Sequence, residues 1–466
     1  MDEKRSKENG CRHVLMIPYP SQGHINPMLQ FAKLLSTKGV RATMVTTIFI
    51  SKTMHLLSSS LLPNFIQFDT ISDGYDQGGF AQASSIPTYL SSMKATGSKN
   101  LRELIQKYKI SDYPIDCLVY DSFLPWVLEV AKEFSLLGAA FFTQMCAVNC
   151  IFYYVHHGLL KLPISSTPIS IPGLPLLDLK DTPSFVHELG VYPAYYELVM
   201  NQFSSLHEAD VILVNSFYKL EDQVVDAMSK LCPFVTIGPT VPSFHLDKEV
   251  PGDRANNVNL FQVDSSAINW LNPKPSRSVI YVSFGSMVSF STEQMREIAL
   301  GLMGTGFNFL WVIPALEAKN PPGELLEEMG ASGRGLVVNW TPQLEVLSNQ
   351  AVGCFLTHCG WNSTTEALCF GVPMVAMPQW TDQPLNAKYV EDVWKVGIRV
   401  KVNENGIVTR EEIECCIREV MEKEHGGELR INAKKWKELA IEALSQGGTS
   451  DNNINEFVNM LKKCPY

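Results

Sequence analysis

The hydrophobic residues of this chain gather in short unbroken runs separated by stretches of helical period. In the amino half, His13 to Pro18 is followed by the amphipathic stretch Pro27 to Lys38, then by Val40 to Thr47 and Phe65 to Ile71. The alternation continues through Cys117 to Tyr120, Trp126 to Phe134, Gly138 to Thr143, Val211 to Asn215 and Leu220 to Leu231. Apolar runs of strand length with no polar alternation belong to strands buried on both faces, as in a parallel sheet covered by helices. The pattern therefore predicts βαβ units. It recurs in the carboxyl half from Val279 to Phe284, through Thr292 to Leu302 and Phe309 to Ile313, to Val352 to Thr357 and Pro373 to Met377. The predicted class is α/β, with two doubly wound Rossmann-like domains.

Length agrees, because 466 residues exceed what one hydrophobic core usually supports. The segment 239–264 lacks periodicity and carries proline, glycine and charge, which predicts a linker. The expected division is 1–240, a linker at 241–264, a second domain at 265–445 and a terminal helix within 446–466. The proline-rich segment 162–179 is expected to be a loop near the substrate side. Helices are predicted over Arg410 to Glu424, Leu429 to Leu444 and Ile454 to Lys463.

Composition narrows the class of partner. Hydrophobic residues at 45% and charged ones at 18% suit a globular protein, and no apolar run reaches the roughly 20 residues of a spanning helix. The charged start MDEKRSKENG does not resemble a secretory signal, so a cytoplasmic location is expected. A net charge of −10 argues against nucleic acid or an anionic membrane, while leaving room for a local anion site. The 11 cysteines show no CxxC spacing and read as reduced thiols; Cys415 and Cys416 read as packing residues.

The densest chemistry lies between Trp340 and Gln383. The run THCGWNSTTEALCFGVP follows an apolar strand and opens a helix near Gly360. The first N–H groups of a helix have no partner inside it, and the helix dipole is positive there, so a phosphate is the natural occupant. His358, Asn362 and Ser363 add side-chain donors, and Gly360 allows close approach. Trp340, after GLVVN, offers an indole to stack on a base. Glu366 can accept from ribose hydroxyls, and Asp382 and Gln383, past the next strand, stand where ligands meet open α/β sheets. Ser286 ends YVSFGS and is expected to touch the diphosphate from the opposite side. Cys359, Thr364 and Thr365 are expected only to pack.

The run WTPQLEVLSNQAVGCFLTHCGWNSTTEALCFGVPMVAMPQWTDQ resembles the signature box of plant UDP-dependent glycosyltransferases of small molecules. PYPSQGHINPMLQFAKLL and YVSFGS resemble the same family in the same order. The resemblance implies the GT-B fold, two domains facing across a cleft, with the last helix crossing back to the first. It implies that Trp340 stacks on uracil, Gln343 and Glu366 hold ribose, His358, Asn362 and Ser363 bind phosphates, and Asp382 and Gln383 bind the sugar. Gly360 and Trp361 belong to the same donor set. Gln383 resembles members that favour UDP-glucose.

The donor cradle needs a base. His24, in SQGHINP directly after the first strand, projects from the carboxyl edge of the sheet, and imidazole is the side chain that ordinarily titrates around neutrality. Asp121, ending VYD on the same edge, can orient it and stabilise its charged form. The resemblance assigns the same roles. The expected reaction is inverting transfer of glucose to a hydroxyl or carboxyl of a small apolar plant metabolite: a phenolic, flavonoid, aromatic acid or steroid. Met93, Phe123, Phe142 and Met145 are the expected acceptor contacts. No DxD triplet is present, so no metal or other cofactor is expected, and a monomer is expected.

Two other readings compete. Gly301, Gly304 and Gly306 resemble a dinucleotide fingerprint but precede a strand instead of following one, which is the wrong order. A non-catalytic binder of nucleotide sugars or small molecules would need neither His24 nor Asp121.

Overall fold

The computed structural model describes residues 11–54, 65–242, 260, 264, 266–314 and 323–463. Most of the expected linker, 241–264, lies outside them. The amino half is built on a seven-stranded sheet: β1 (His13–Ile17), β2 (Arg41–Thr47), β3 (Ile66–Ile71), β4 (Cys117–Asp121), β5 (Leu137–Phe142), β6 (Val211–Val214) and β7 (Val235–Thr236). Its order is β3-β2-β1-β4-β5-β6-β7, and all pairs are parallel.

The carboxyl half has six strands: β8 (Val279–Ser283), β9 (Asn308–Val312), β10 (Gly335–Val338), β11 (Val352–Thr357), β12 (Met374–Ala376) and β13 (Gly397–Arg399). They run in the order β10-β9-β8-β11-β12-β13, again all parallel. Central strands β1, β4, β8 and β11 are buried along their whole length, as their unbroken apolar runs require. The short edge strands β7 and β13 have no such run and were not anticipated.

Each sheet reverses its winding direction once, between β1 and β4 in the first and between β8 and β11 in the second. Ligands in open α/β sheets bind outside the carboxyl ends of strands at this switch point. His24 follows β1, Asp121 ends β4, Ser286 follows β8 and His358 follows β11, so four candidate residues stand at the two switch points.

The halves are joined by packing and hydrogen bonds. Trp361 Nε1 donates to the Asn215 carbonyl at 2.6 Å and Trp394 Nε1 to the Leu220 carbonyl at 3.1 Å. Buried Asp181 of the first half meets Arg399 at 2.7 Å and Lys388 at 3.4 Å from the second. The helix Thr449–Lys463 leaves the second half and lays Ile454, Phe457, Val458 and Leu461 against Val14, Met16 and Phe31 under the first sheet. Ser450 fixes its start by donating to the Gly238 carbonyl at 2.6 Å.

The segment 162–179 departs from expectation. It packs against the helix Asp222–Met228, where a Cβ on Gly173 would come within 2.5 Å of the Gln223 carbonyl, and none of its residues lines the cleft. Its buried Ile169, Ile171 and Leu177 give it a core-facing side that its prolines concealed.

Candidate active site

A cavity of about 1130 Å³ runs between the two carboxyl edges, large enough for two small ligands at once by the usual size of such sites. On its amino-half side, His24 Nδ1 lies 2.6 Å from Asp121 Oδ2 and 3.3 Å from Thr143 Oγ1. Asp121 is fully buried, and its other oxygen accepts from the Phe123 N–H at 3.0 Å. With Nδ1 held in this way, Nε2 is the ring nitrogen left for the cleft. Tyr19 and Phe123 flank the ring, with centroids 5.3 and 5.0 Å away.

Opposite stands the helix Trp361–Phe370. Its first internal bond is Thr364 N–H to the Gly360 carbonyl, 2.9 Å, so the N–H groups of Trp361, Asn362 and Ser363 have no acceptor within the helix. The turn into it is tight. Cys359 adopts φ +62°, a left-handed conformation that costs a non-glycine residue about 1–3 kcal/mol and is tolerated only where surroundings enforce it. Its carbonyl accepts from buried Asn386 at 2.8 Å. Gly285 and Gly360 close around the His358 ring: a Cβ on either would fall 2.8 or 2.5 Å from its Nε2. Burial pushes the His358 imidazole down to about 4, against an opposing backbone hydrogen bond with Ser283. It therefore meets a ligand as a neutral ring at physiological pH.

Towards one end, Trp340 and Gln343 line the cavity. Gln343 accepts from Tyr281 at 3.1 Å and donates to Ser363 at 2.9 Å and to Glu366 at 2.7 Å. Burial raises the Glu366 carboxyl to about 7, with the Gln343 bond opposing. At the sugar end, burial raises the Asp382 carboxyl, while hydrogen bonds from Thr381 and Asn386 pull it back. Asn386 donates to Asp382 Oδ2 at 2.7 Å. Gln383 Oε1 accepts from the Gln379 and Trp380 N–H groups at 2.9 and 3.1 Å, which leaves its Nε2 to donate to a ligand.

Two switch points thus hold a histidine oriented by a carboxylate and, across the gap, a helix start flanked by Trp340, Gln343 and Glu366 on one side and Asp382 and Gln383 on the other. Residues 251–431 match the family described as UDP-glucoronosyl and UDP-glucosyl transferase. The flavonol 7-O-beta-glucosyltransferase UGT74F1 of Arabidopsis thaliana is 52% identical over 456 residues, 97% of this chain and 98% of that protein. The chain belongs to the plant UDP-dependent glycosyltransferases of small molecules. Mogroside I-E synthase of Siraitia grosvenorii is 46% identical over 98% of this chain and 100% of its own length. The crystal structure of Os79 from O. sativa in complex with UDP shares the fold with a TM-score of 0.89 at 39% identity, covering 96% of this chain and 100% of that one.

In this glycosyltransferase the predicted donor residues Ser286, Trp340, Gln343, His358, Gly360, Trp361, Asn362, Ser363, Glu366, Asp382 and Gln383 all border one cavity, together with His24. Two of them also bond the amino half through their side chains. The Trp361 indole is buried in the seam on Asn215, leaving its backbone at the helix start. Asn362 Nδ2 donates across the cleft to the Gly23 carbonyl at 2.7 Å.

The acceptor expectations need correction. Phe123 lines the cavity, but Met93, Phe142 and Met145 do not. Phe142 ends β5 fully buried against Phe203 and Phe234, Met145 caps the buried helix Cys146–His156, and Met93 faces inward from the helix Ile86–Lys109. The aromatic residues that do line the cavity beside Phe123 are Tyr19, Phe80, Tyr89, Phe185, Tyr195 and Trp380. Trp380 comes from the second half and meets Tyr195 at 5.3 Å and Phe185 at 6.1 Å. Trp380 stands three residues before the helix Gln383–Lys388, and no periodicity around it pointed to the cavity.

Proposed function

We propose that the enzyme transfers glucose from UDP-glucose, with inversion, to a hydroxyl or carboxyl of a small, flat, largely apolar plant metabolite. His24 Nε2 takes the acceptor proton, and the acceptor oxygen bonds to the anomeric carbon. The bond from that carbon to the diphosphate breaks, and its electron pair leaves with UDP. Asp121 keeps the ring in the right tautomer and balances the imidazolium. The N–H groups of Trp361, Asn362 and Ser363, with His358, meet the charge that develops on the leaving diphosphate, a preorganised effect worth several kcal/mol of barrier. That donor set supports a reaction without a resident metal. Asp382 accepts from sugar hydroxyls and Gln383 donates to them.

The observation that carries the reading is the His24–Asp121 pair, 2.6 Å apart, opening on the same cavity as the helix start. The aromatic wall supports a flat acceptor of phenolic, flavonoid, aromatic-acid or steroid type. The described cysteines form no disulfide, which supports a cytoplasmic enzyme; among the described residues no helix is long and apolar enough to cross a membrane. Both faces of the cleft come from one chain, which supports action as a monomer. Incubation with UDP-glucose and a panel of phenols, flavonoids, aromatic acids and steroids, read as a mass gain of one hexose, tests the activity. Absence of that gain across the panel, with UDP-glucose intact, would contradict it.

A further inference from the structure

The helix Gln22–Thr37 carries Pro27 in its interior. In an unbroken helix the N–H of residue 27 would bond to the carbonyl of residue 23; proline has no N–H, so that acceptor is left over. The structure supplies another donor. Asn362, second residue of the helix Trp361–Phe370, reaches from the other half and donates its side-chain amide to the Gly23 carbonyl at 2.7 Å. This carbonyl belongs to the peptide group that carries the His24 nitrogen. Next to Asn362, the Trp361 indole is bonded to Asn215 at 2.6 Å, so the helix start is tied to the amino half at two points. An amide nitrogen has two hydrogens; one of Asn362's is used on Gly23, and the other is available to a diphosphate oxygen.

We propose that Pro27 is a positioning residue for glycosyl transfer: by withholding an N–H it reserves the Gly23 carbonyl for Asn362, and that bond sets the base-bearing turn at a fixed reach from the leaving diphosphate. The proposal rests on His24 being the base. Proline in the interior of a helix is otherwise unfavourable, and the carbonyl of Gly23, an exposed residue on the cleft, would otherwise be left to solvent. Both features become intelligible if the acceptor is meant for the opposite half. Pro27 itself is buried and touches neither reacting atom.

The test is a double-mutant cycle on the full chain, with Pro27→Ala, Asn362→Ala and the pair, using UDP-glucose and the best acceptor from the panel. Pro27→Ala restores the N–H and draws the Gly23 carbonyl back into its own helix. The expected result is a fall in kcat of about 10-fold or more, the scale of a slightly misplaced base, with the UDP Kd changed by less than about 3-fold and no loss of thermal stability. In the Asn362→Ala background the same change costs less than about 2-fold, because the bond it would divert is already gone. Equal losses in both backgrounds, or an unchanged kcat in a folded Pro27→Ala enzyme, would overturn the proposal. If Pro27→Ala does not fold, Pro27→Ser restores the same N–H and is read in the same way. Failure of the base assignment is separately visible, since His24→Ala would then retain transfer whatever the cycle shows.

Discussion

The two walls of the cleft are built differently. The proposed donor wall is drawn almost wholly from one continuous stretch, Trp340 to Gln383, whereas the proposed acceptor wall is collected from Tyr19, Phe80, Phe123, Phe185 and Tyr195 in separate segments, with Trp380 reaching over from the donor side. A continuous stretch carries its geometry in local rules: strand end, tight turn, helix start. A collected wall depends on which way each separate turn aims its side chains. Donor chemistry can therefore be read locally and acceptor chemistry cannot.

Substitutions can break or sharpen this contrast. The largest effect is expected at the meeting of the walls: His24→Ala should lower kcat by about 10²–10⁴-fold, the usual contribution of a general base, with the UDP Kd almost unchanged. A near wild-type rate would remove the base from the mechanism. Phe142→Ala should cost about 3–5 kcal/mol of unfolding free energy and leave the acceptor KM unchanged in the folded enzyme. A selective rise in acceptor KM would restore Phe142 to the acceptor wall. On the donor wall, Trp340→Ala should weaken UDP binding by about 1–3 kcal/mol through lost base stacking, measurable by calorimetry. If the Kd does not move, the indole is not the base platform.

Trp380→Ala tests whether the walls are separable at all. Because its indole packs on Tyr195 and Phe185, it should raise the acceptor KM by about 10-fold while changing UDP affinity little. A change in UDP affinity alone would assign Trp380 to the donor side. The smallest effect concerns stability. The Glu366 carboxyl titrates higher in the folded chain, about 7, than its ordinary 4.5, so ionising it destabilises the fold as pH rises from 4.5 and does so fully above about 7. Glu366→Gln should therefore raise the thermal midpoint by a few degrees at pH 8, and the gain should fade as pH falls towards 4.5. UDP affinity should drop in the same variant. A gain independent of pH would show that the buried carboxylate is not its source.

Much of the fold was legible because central parallel strands must be apolar on both faces, and β1, β4, β8 and β11 are. The helix Ile86–Lys109 escaped notice although its buried Tyr89, Met93, Gly97 and Leu101 recur every fourth residue. Serine, threonine and lysine between them dilute the apolar signal. The helical stretch read over Pro27 to Lys38 belongs to a helix that begins earlier, at Gln22, and contains the proline, since the polar Gln22 to Asn26 segment carries little apolar period. In the site, the helix start, the place of Trp340 on the cavity wall and the His24 position were legible from neighbours in sequence. Asn386 was not: its role comes from touching both the Cys359 carbonyl and Asp382, which no spacing reveals.

By itself the sequence determined a histidine after the first strand and a helix start after an apolar strand of the second half, because caps, turns and periodicity act over a few residues. Only the tertiary structure decided that Asn362 reaches Gly23, that Trp361 anchors in the other half, and which aromatics line the cavity rather than the core. Those contacts join residues hundreds of positions apart, and their distances are set by how two separately wound sheets pack, a property of the whole chain's buried surface and of no segment alone.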